Sequence, residues 1–353
     1  MKASRSSASP YAWISGCAAL FVLCAVILPL VGPTGIDMQR VFAKAAPDYG
    51  IFVELRITRV LLGLLAGGAL ALGGGLFQAM LRDSLATPYT LGVSAGAALG
   101  AVIVLALDLE RILGFPALWL GSLVGAGTVL AMVAGASWKG GHLSSVRLLL
   151  TGISLNSVCS AFILLIYGVV RERRSFSITQ WLLGSVDSVS YTALLVFAIA
   201  VALSSAVLLR QARAWNLIAI GETWAASRGV DLQRVMLTGY VCGSVLTAGA
   251  IALTGPIGFV GLIVPHLVRS RISPDNRLLL PCSFMLGGVL LAACDAIGRV
   301  VLAPAELPAG AVSEETCRVK LVSAHRRRAK NNRSAPSLDA KVSILSMQGG
   351  ATH

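Results

Sequence analysis

Residues 63–75 read Gly63-Leu64-Leu65-Ala66-Gly67-Gly68-Ala69-Leu70-Ala71-Leu72-Gly73-Gly74-Gly75. They lie within an apolar run over residues 59–80, long enough as a helix to cross the hydrocarbon core of a bilayer. Gly63, Gly67, Ala71 and Gly75 recur at every fourth position, so one helix face carries almost no side chain. In lipid, hydrophobicity does not drive helices together, whereas close backbone approach through small residues does. The stretch predicts a membrane-spanning helix packed tightly inside a bundle. Lining a transport path is compatible with the same pattern.

The rest of the chain agrees with a bilayer as its main solvent. Of 353 residues, 56% are hydrophobic and 13% charged, about half the charged fraction of a soluble domain. Candidate spans fall at roughly 11–31, 59–80, 91–107, 116–136, 148–170, 192–210, 234–253, 257–269 and 278–298. The eighth is too short to cross alone in lipid contact and carries Pro265 and His266 near its end. It is expected to pack inside the bundle. His266 reads as a polar residue at a helix end, with no partner that would make it a metal ligand.

The apolar stretch after Lys2 and Arg5 is too long for a signal-peptide core and lacks an Ala-x-Ala cleavage site. It reads as a first span entered from the cytoplasm, after a cytoplasmic segment at 1–10. On that orientation twelve Lys/Arg fall inside and nine outside, apart from those beyond residue 312. The bias has the expected direction. The nine outer basic residues, among them Arg56, Arg59, Arg171, Arg173, Arg174 and Arg299, are numerous enough to need a reason of their own.

The net charge of +13 has no aromatic-interleaved basic stripe behind it, so nucleic acid is not an expected partner. Six of seven cysteines lie in apolar segments and none forms a CxxC or a His/Cys cluster, so neither a metal site nor a disulfide framework is expected. They read as small packing residues. No Walker A pattern, zinc-protease motif or nucleophile elbow occurs, so no catalytic residue is expected and no cofactor. No Asp or Glu lies in the middle of a span, which counts against a proton- or sodium-coupled carrier. The energy for any transport would come from another chain.

Between the sixth and seventh spans, residues 216–230 are moderately apolar and too short to span. Two short helices broken at Gly221 would present Leu217, Trp224 and Ala225 as one docking face. An amphipathic helix lying on the membrane surface fits the same residues. There is also a faint internal echo. Arg59-Val60 opens a small-residue helix leading to Thr87-Pro88-Tyr89-Thr90-Leu91-Gly92, and Arg234-Val235 opens another leading to Gly255-Pro256-Ile257-Gly258. Gly/Pro interruptions at corresponding positions are common in transporter repeats.

Four blocks in order carry a family resemblance. Arg82-Asp83-Ser84-Leu85-Ala86-Thr87-Pro88-Tyr89-Thr90-Leu91-Gly92-Val93-Ser94-Ala95-Gly96-Ala97 resembles the hallmark of the FecCD-type permeases, which import iron-siderophores, haem and cobalamin. So does Gly255-Pro256-Ile257-Gly258-Phe259-Val260-Gly261-Leu262-Ile263-Val264-Pro265-His266. Residues 217–229 are similar to that family's coupling segment, and Glu306-Leu307-Pro308-Ala309-Gly310 to its approach to the final helix. The similarity runs from about residue 11 to 312.

The resemblance implies an all-α polytopic permease of the inner membrane, with ten helices per subunit and a translocation path between two subunits of a homodimer or pseudodimer. It implies two partner ATPase subunits, which bind the ATP and grip Leu217, Gly221, Glu222, Trp224, Arg228 and Gly229. It implies a periplasmic or lipid-anchored binding protein whose carboxylates meet Arg56, Arg59 and Arg299. Such complementary charge steers docking more than it supplies affinity. Headgroup anchoring at a helix end is the competing reading for Arg56 and Arg59. Gly67, Ala71, Gly75, Pro88, Gly92, Gly255, Pro256 and Gly258 are expected to shape or support the path without contacting ligand.

After Val312 the sequence changes character: a basic tail at 313–353, with Arg326-Arg327-Arg328 and Lys330, stands where the family's tenth span belongs. Its composition is that of a disordered segment. About nine of ten helices are then expected, in a permease domain at 11–312, and the switch implies a reading frame altered near codon 312. A regulatory tail held inside by a rearranged ninth segment is the competing reading. For the whole chain, the other classes weighed are a secondary carrier or channel without an ATPase and a membrane scaffold.

Overall fold

The computed structural model describes residues 10–315, apart from 33, 34, 36, 110, 113, 114, 140, 141, 302–307, 311 and 314. The expectations for the N-terminal residues 1–9, for Glu306 and Leu307, and for the tail beyond 315 fall outside the described residues. The described residues up to 313 form one compact unit.

The architecture is all-α. Twelve α-helices of six residues or more follow one another among the described residues: α1 (Pro10–Ile27), α2 (Thr58–Leu81), α3 (Val93–Leu107), α4 (Ala117–Ser137), α5 (Ser145–Val169), α6 (Glu172–Leu182), α7 (Tyr191–Arg210), α8 (Ala212–Ile220), α9 (Glu222–Ser227), α10 (Leu232–Thr254), α11 (Val260–Arg271) and α12 (Asn276–Val301). Two two-residue antiparallel pairs, Arg111–Ile112 with Phe115–Pro116 and Trp138–Lys139 with His142–Leu143, close the loops either side of α4. Among the described residues seven helices are long and apolar enough to cross a membrane, and α3 is a shorter apolar one.

The stretch at 63–75 occupies the centre. Helix α2 is 89% buried along its most apolar part, against 11% for α1 and for α5. Its face of small residues lets neighbouring backbones approach closely, which places this helix inside the bundle. Helix α12 runs antiparallel to it, with Gly67 on Gly287 and Gly63 on Ala292. A β-carbon at Gly67 would overlap the Gly287 carbonyl, so the two backbones touch where neither residue has a side chain. The same device closes α3 on α4 at Gly100 and Gly121.

Helix α2 ends where Arg82 turns left-handed (φ 55°, ψ 29°). Side-chain caps start two other helices: Ser190 accepts from the Ala193 amide before α7, and Asp231 from the Arg234 amide before α10. Helix α11, with Pro265 inside it, packs against α2 with Val260, Gly261, Ile263, Val264 and Pro265 buried. That is where the short eighth stretch was expected to go.

Helix α6 was not anticipated. The sequence reading left residues 171–174 in an outer loop, whereas Glu172–Leu182 is helical, with Ile178 fully buried. Arg174 on it donates to the Ala106 carbonyl at 2.6 Å and pairs with Asp108 at 3.2 Å, closing the C-terminus of α3. A cation at that end satisfies an orphan carbonyl and the helix dipole together. One of the nine outer basic residues thus has a structural reason.

Candidate functional site

The segment after α7 forms an elbow. Helices α8 and α9 meet at Gly221, whose backbone is extended (φ 169°, ψ 140°). The inner side of the elbow is apolar: Trp215, Ile218 and Ala225 are fully buried. The Trp215 ring lies on Gly239 of α10, where a β-carbon would displace it. Ala225 therefore does not belong to an exposed docking face, as the sequence reading had it. It points back into the bundle, because the turn at Gly221 sets α9 with that side inward. The apolar groups left outside are Ile220, 67% exposed, and Trp224, 40% exposed. Leu217 is half-buried. The Arg228 guanidinium stands 4.6 Å from the centroid of the Trp224 ring, a cation–π contact that holds the indole upright at the surface. Gly229 follows in the left-handed region (φ +81°) and turns the chain toward α10.

Polar contacts fix both arms of the elbow from behind. Glu222, the first residue of α9, accepts from Arg82 Nη2 at 3.2 Å and from Ser145 Oγ at 2.5 Å. Ser145 Oγ also lies 3.1 Å from the Met80 carbonyl. The carboxylate thus ties the C-terminal end of α2 to the first turn of α5, through charge-assisted contacts of which the one from Ser145 is short. On the other arm, Asn216 of α8 donates to Asp275 Oδ1 at 2.6 Å and accepts from the Asn276 amide at 2.8 Å and from Asn276 Nδ2 at 2.9 Å. Asp275 in turn accepts from the Arg277 amide at 2.9 Å, at the start of α12. Arg82, Ser145, Asn216, Asp275 and Ile220 were not singled out from the sequence. Each is an ordinary loop or helix-end residue until the fold brings its partner to it.

At the other end of α2 the three arginines do come together. Arg59 donates two hydrogen bonds to Asp295 Oδ1, at 3.1 and 3.2 Å, and Arg299 pairs with Asp295 Oδ2 at 3.2 Å. Arg56 lies in a π-helical turn (Ile51–Ile57) that leads into α2, against Gly32 and 3.4 Å from the Pro29 carbonyl. Arg56 and Arg299 are 6% and 4% exposed. Within one chain they are therefore buried, engaged groups. Among the described residues, Arg59 and Arg299 share the Asp295 carboxylate.

The residues expected to shape a path are placed as packing elements. Ala71 meets Gly287, and Gly75 meets Leu279 and Pro265. Pro88 is buried. Gly92 (φ +76°) starts α3 with Gly152 of α5 packed against it. Residues 255–258 form the non-helical link between α10 and α11. Gly255 has φ +68° and its α-carbon faces the Trp181 carbonyl too closely for a β-carbon. The Pro256 carbonyl packs on Gly184 in the same crossing. Gly258 is different, since a side chain there would meet nothing within 4 Å. Among the described residues no group of three or more His, Cys, Asp or Glu is placed to hold a metal ion.

Comparison with known proteins agrees with this arrangement. The model of the FecCD transport family matches residues 19–315. The hemin transport system permease protein HmuU of Yersinia pestis is 32% identical over 295 residues, 82% of this chain and 88% of that one. The ferric enterobactin transport system permease protein FepD of Escherichia coli K12 is 33% identical, covering 85% and 90%. The cobalamin import system permease protein BtuC of Halobacterium salinarum is 37% identical, covering 73% and 69%. A solved metal-chelate type ABC transporter in an inward-facing conformation superposes with a TM-score of 0.77 at 28% identity, over 90% of this chain and 99% of that one.

Proposed function

The chain belongs to the FecCD transport family, and from that premise we propose that it is the membrane-spanning permease subunit of an ATP-driven importer. A second permease subunit, as homodimer or pseudodimer, completes the translocation path. Two ATPase subunits bind and hydrolyse the ATP on the cytoplasmic side, where the α8–α9 elbow and the N-terminus lie. A periplasmic or lipid-anchored binding protein delivers an iron-siderophore, haem or cobalamin-type ligand at the opposite end. The named relatives, which carry hemin, ferric enterobactin and cobalamin, support that ligand class.

The observation that carries the reading is the elbow. It exposes Ile220 and the Trp224–Arg228 pair while its back is fixed to three helix ends. Aromatic and arginine groups held rigid at a surface are the residues that dominate protein interfaces. A secondary carrier would have no use for such a surface. The gathering of Arg56, Arg59 and Arg299 at the other end supports docking of an acidic face there, by steering more than by direct pairing.

The test is co-purification of the chain with ATPase subunits from its own genome, followed by ATP-dependent uptake into vesicles of ferric siderophore, haem and cobalamin in turn. Retention of the ATPases with uptake of one of the three would support the reading. Uptake that persists without any ATPase would sink it in favour of a carrier.

A further inference from the structure

The elbow has two arms, and the two are not tied to the same place. Asn216 joins α8 to the first residues of α12, with contacts of 2.6–2.9 Å. Glu222 joins α9 to the end of α2 through Arg82 and to the start of α5 through Ser145. Only Gly221 lies between the arms. We propose that Asn216 and Glu222 are the two positioning residues that deliver movement of the elbow to the bundle by separate routes, α8 to α12 and α9 to α2 and α5. The proposal rests on the reading of the elbow as the ATPase-facing segment.

Three features make these contacts a route and not only an anchorage. The first is where they end: each tie reaches a helix terminus, the end of α2, the start of α5 or the start of α12. The second is what the receiving helices do next. Helices α2 and α12 lie antiparallel with backbones touching at Gly67 and Gly287, and are joined again at their far end by Arg59 and Asp295. The routes are therefore separate at the ties themselves and meet beyond them, where the close-packed pair passes on a shift of either helix. The third is the difference in surroundings. The Asn276 end is 2% exposed, whereas Arg82 and Glu222 keep 39% and 21% of their side chains exposed. The contacts at the α12 tie are part-buried, whereas the Arg82–Glu222 pair of the α2–α5 tie stands exposed at the solvent edge.

Hydrogen–deuterium exchange of the full chain, bound to its own ATPase subunits in lipid nanodiscs, reads both routes. Spectra are compared without nucleotide and with vanadate-trapped ATP. In the unaltered complex, trapping should change exchange at 79–86 and 145–150 and also at 277–281. Arg82→Gln with Ser145→Ala should shrink the first change by at least about fivefold, the range of an ordinary allosteric coupling, and leave the second. Asn216→Asp, which sets a carboxylate against Asp275, should do the reverse. The swapped pairs Arg82→Glu with Glu222→Arg, and Asn216→Asp with Asp275→Asn, should restore the lost change; they separate a broken contact from a misfolded chain. If each lesion silences both regions, or neither, the two-route proposal is overturned while the permease reading stands. If the unaltered chain retains no ATPase, the permease reading fails and takes the proposal with it.

Discussion

Arg59 and Asp295 are 236 residues apart in the chain and joined by two hydrogen bonds of 3.1 and 3.2 Å. Their side chains are 15% and 3% exposed, and Arg299 closes on the other carboxylate oxygen. The pair locks the far end of α2 to α12. Burial makes the lock asymmetric: forming it brings modest net stability, but removing one partner leaves a charge stranded out of water.

Asp295→Ala should therefore cost about 3–5 kcal/mol, the scale for breaking a buried pair by truncating one side. Thermal unfolding in detergent measures it. Asp295→Asn keeps an acceptor for Arg59 and should cost less. Equal melting temperatures for the two variants and the unaltered chain would contradict the burial argument.

The contact at Gly67 makes a second, steric prediction. Its β-carbon position falls on the Gly287 carbonyl, and backbone cannot rotate aside as a side chain does. Gly67→Ala should destabilise by about 1–3 kcal/mol, as overpacking does. Gly258→Ala, with nothing within 4 Å, should stay within about 0.5 kcal/mol. If the two substitutions cost the same, the α2–α12 crossing is looser than described.

The tight packing of α2, though not its partner α12, was legible in the sequence because its signal is local: small residues every fourth position need no partner to be read. The nine apolar stretches each hold a helix for the same reason, with ends shifted by a few residues. Helix α6 was not legible, since eleven residues with three charges at the start look like a loop until Ile178 is seen buried. Ala225 was misplaced because alanine fits either side of a short helix. The ties at the elbow were out of reach in principle. Glu222 meets Arg82 across 140 residues and Asn216 meets Asp275 across 59, and no periodicity reports such distances.

Arg174 tests the structural account of an outer cation. It donates to the Ala106 carbonyl at 2.6 Å and faces Asp108, which ends α3 in the left-handed region. Arg174→Ala should cost about 1 kcal/mol, the net worth of one hydrogen bond at a partly solvated helix end. Amide exchange should rise over the last turn of α3 and not elsewhere. Unchanged exchange there would return Arg174 to the role of a topology determinant alone.

Trp224 tests the elbow as a surface for a partner. Its ring is 40% exposed, stands under the Arg228 guanidinium and contributes little to the core behind it, which Trp215, Ile218 and Ala225 fill. Trp224→Ala should thus leave the melting temperature of the isolated chain nearly unchanged. Bound to ATPase subunits, the same variant should lose about 2 kcal/mol of association, on the order of thirtyfold in affinity. Trp215→Ala should do the opposite: it empties a buried site against Gly239 and lowers stability by about 3–5 kcal/mol before any partner is present. Titrating each variant with the ATPase separates the two effects. A Trp224 variant that melts early yet binds normally would mean that the indole supports the fold, and that the partner grips some other part of the elbow.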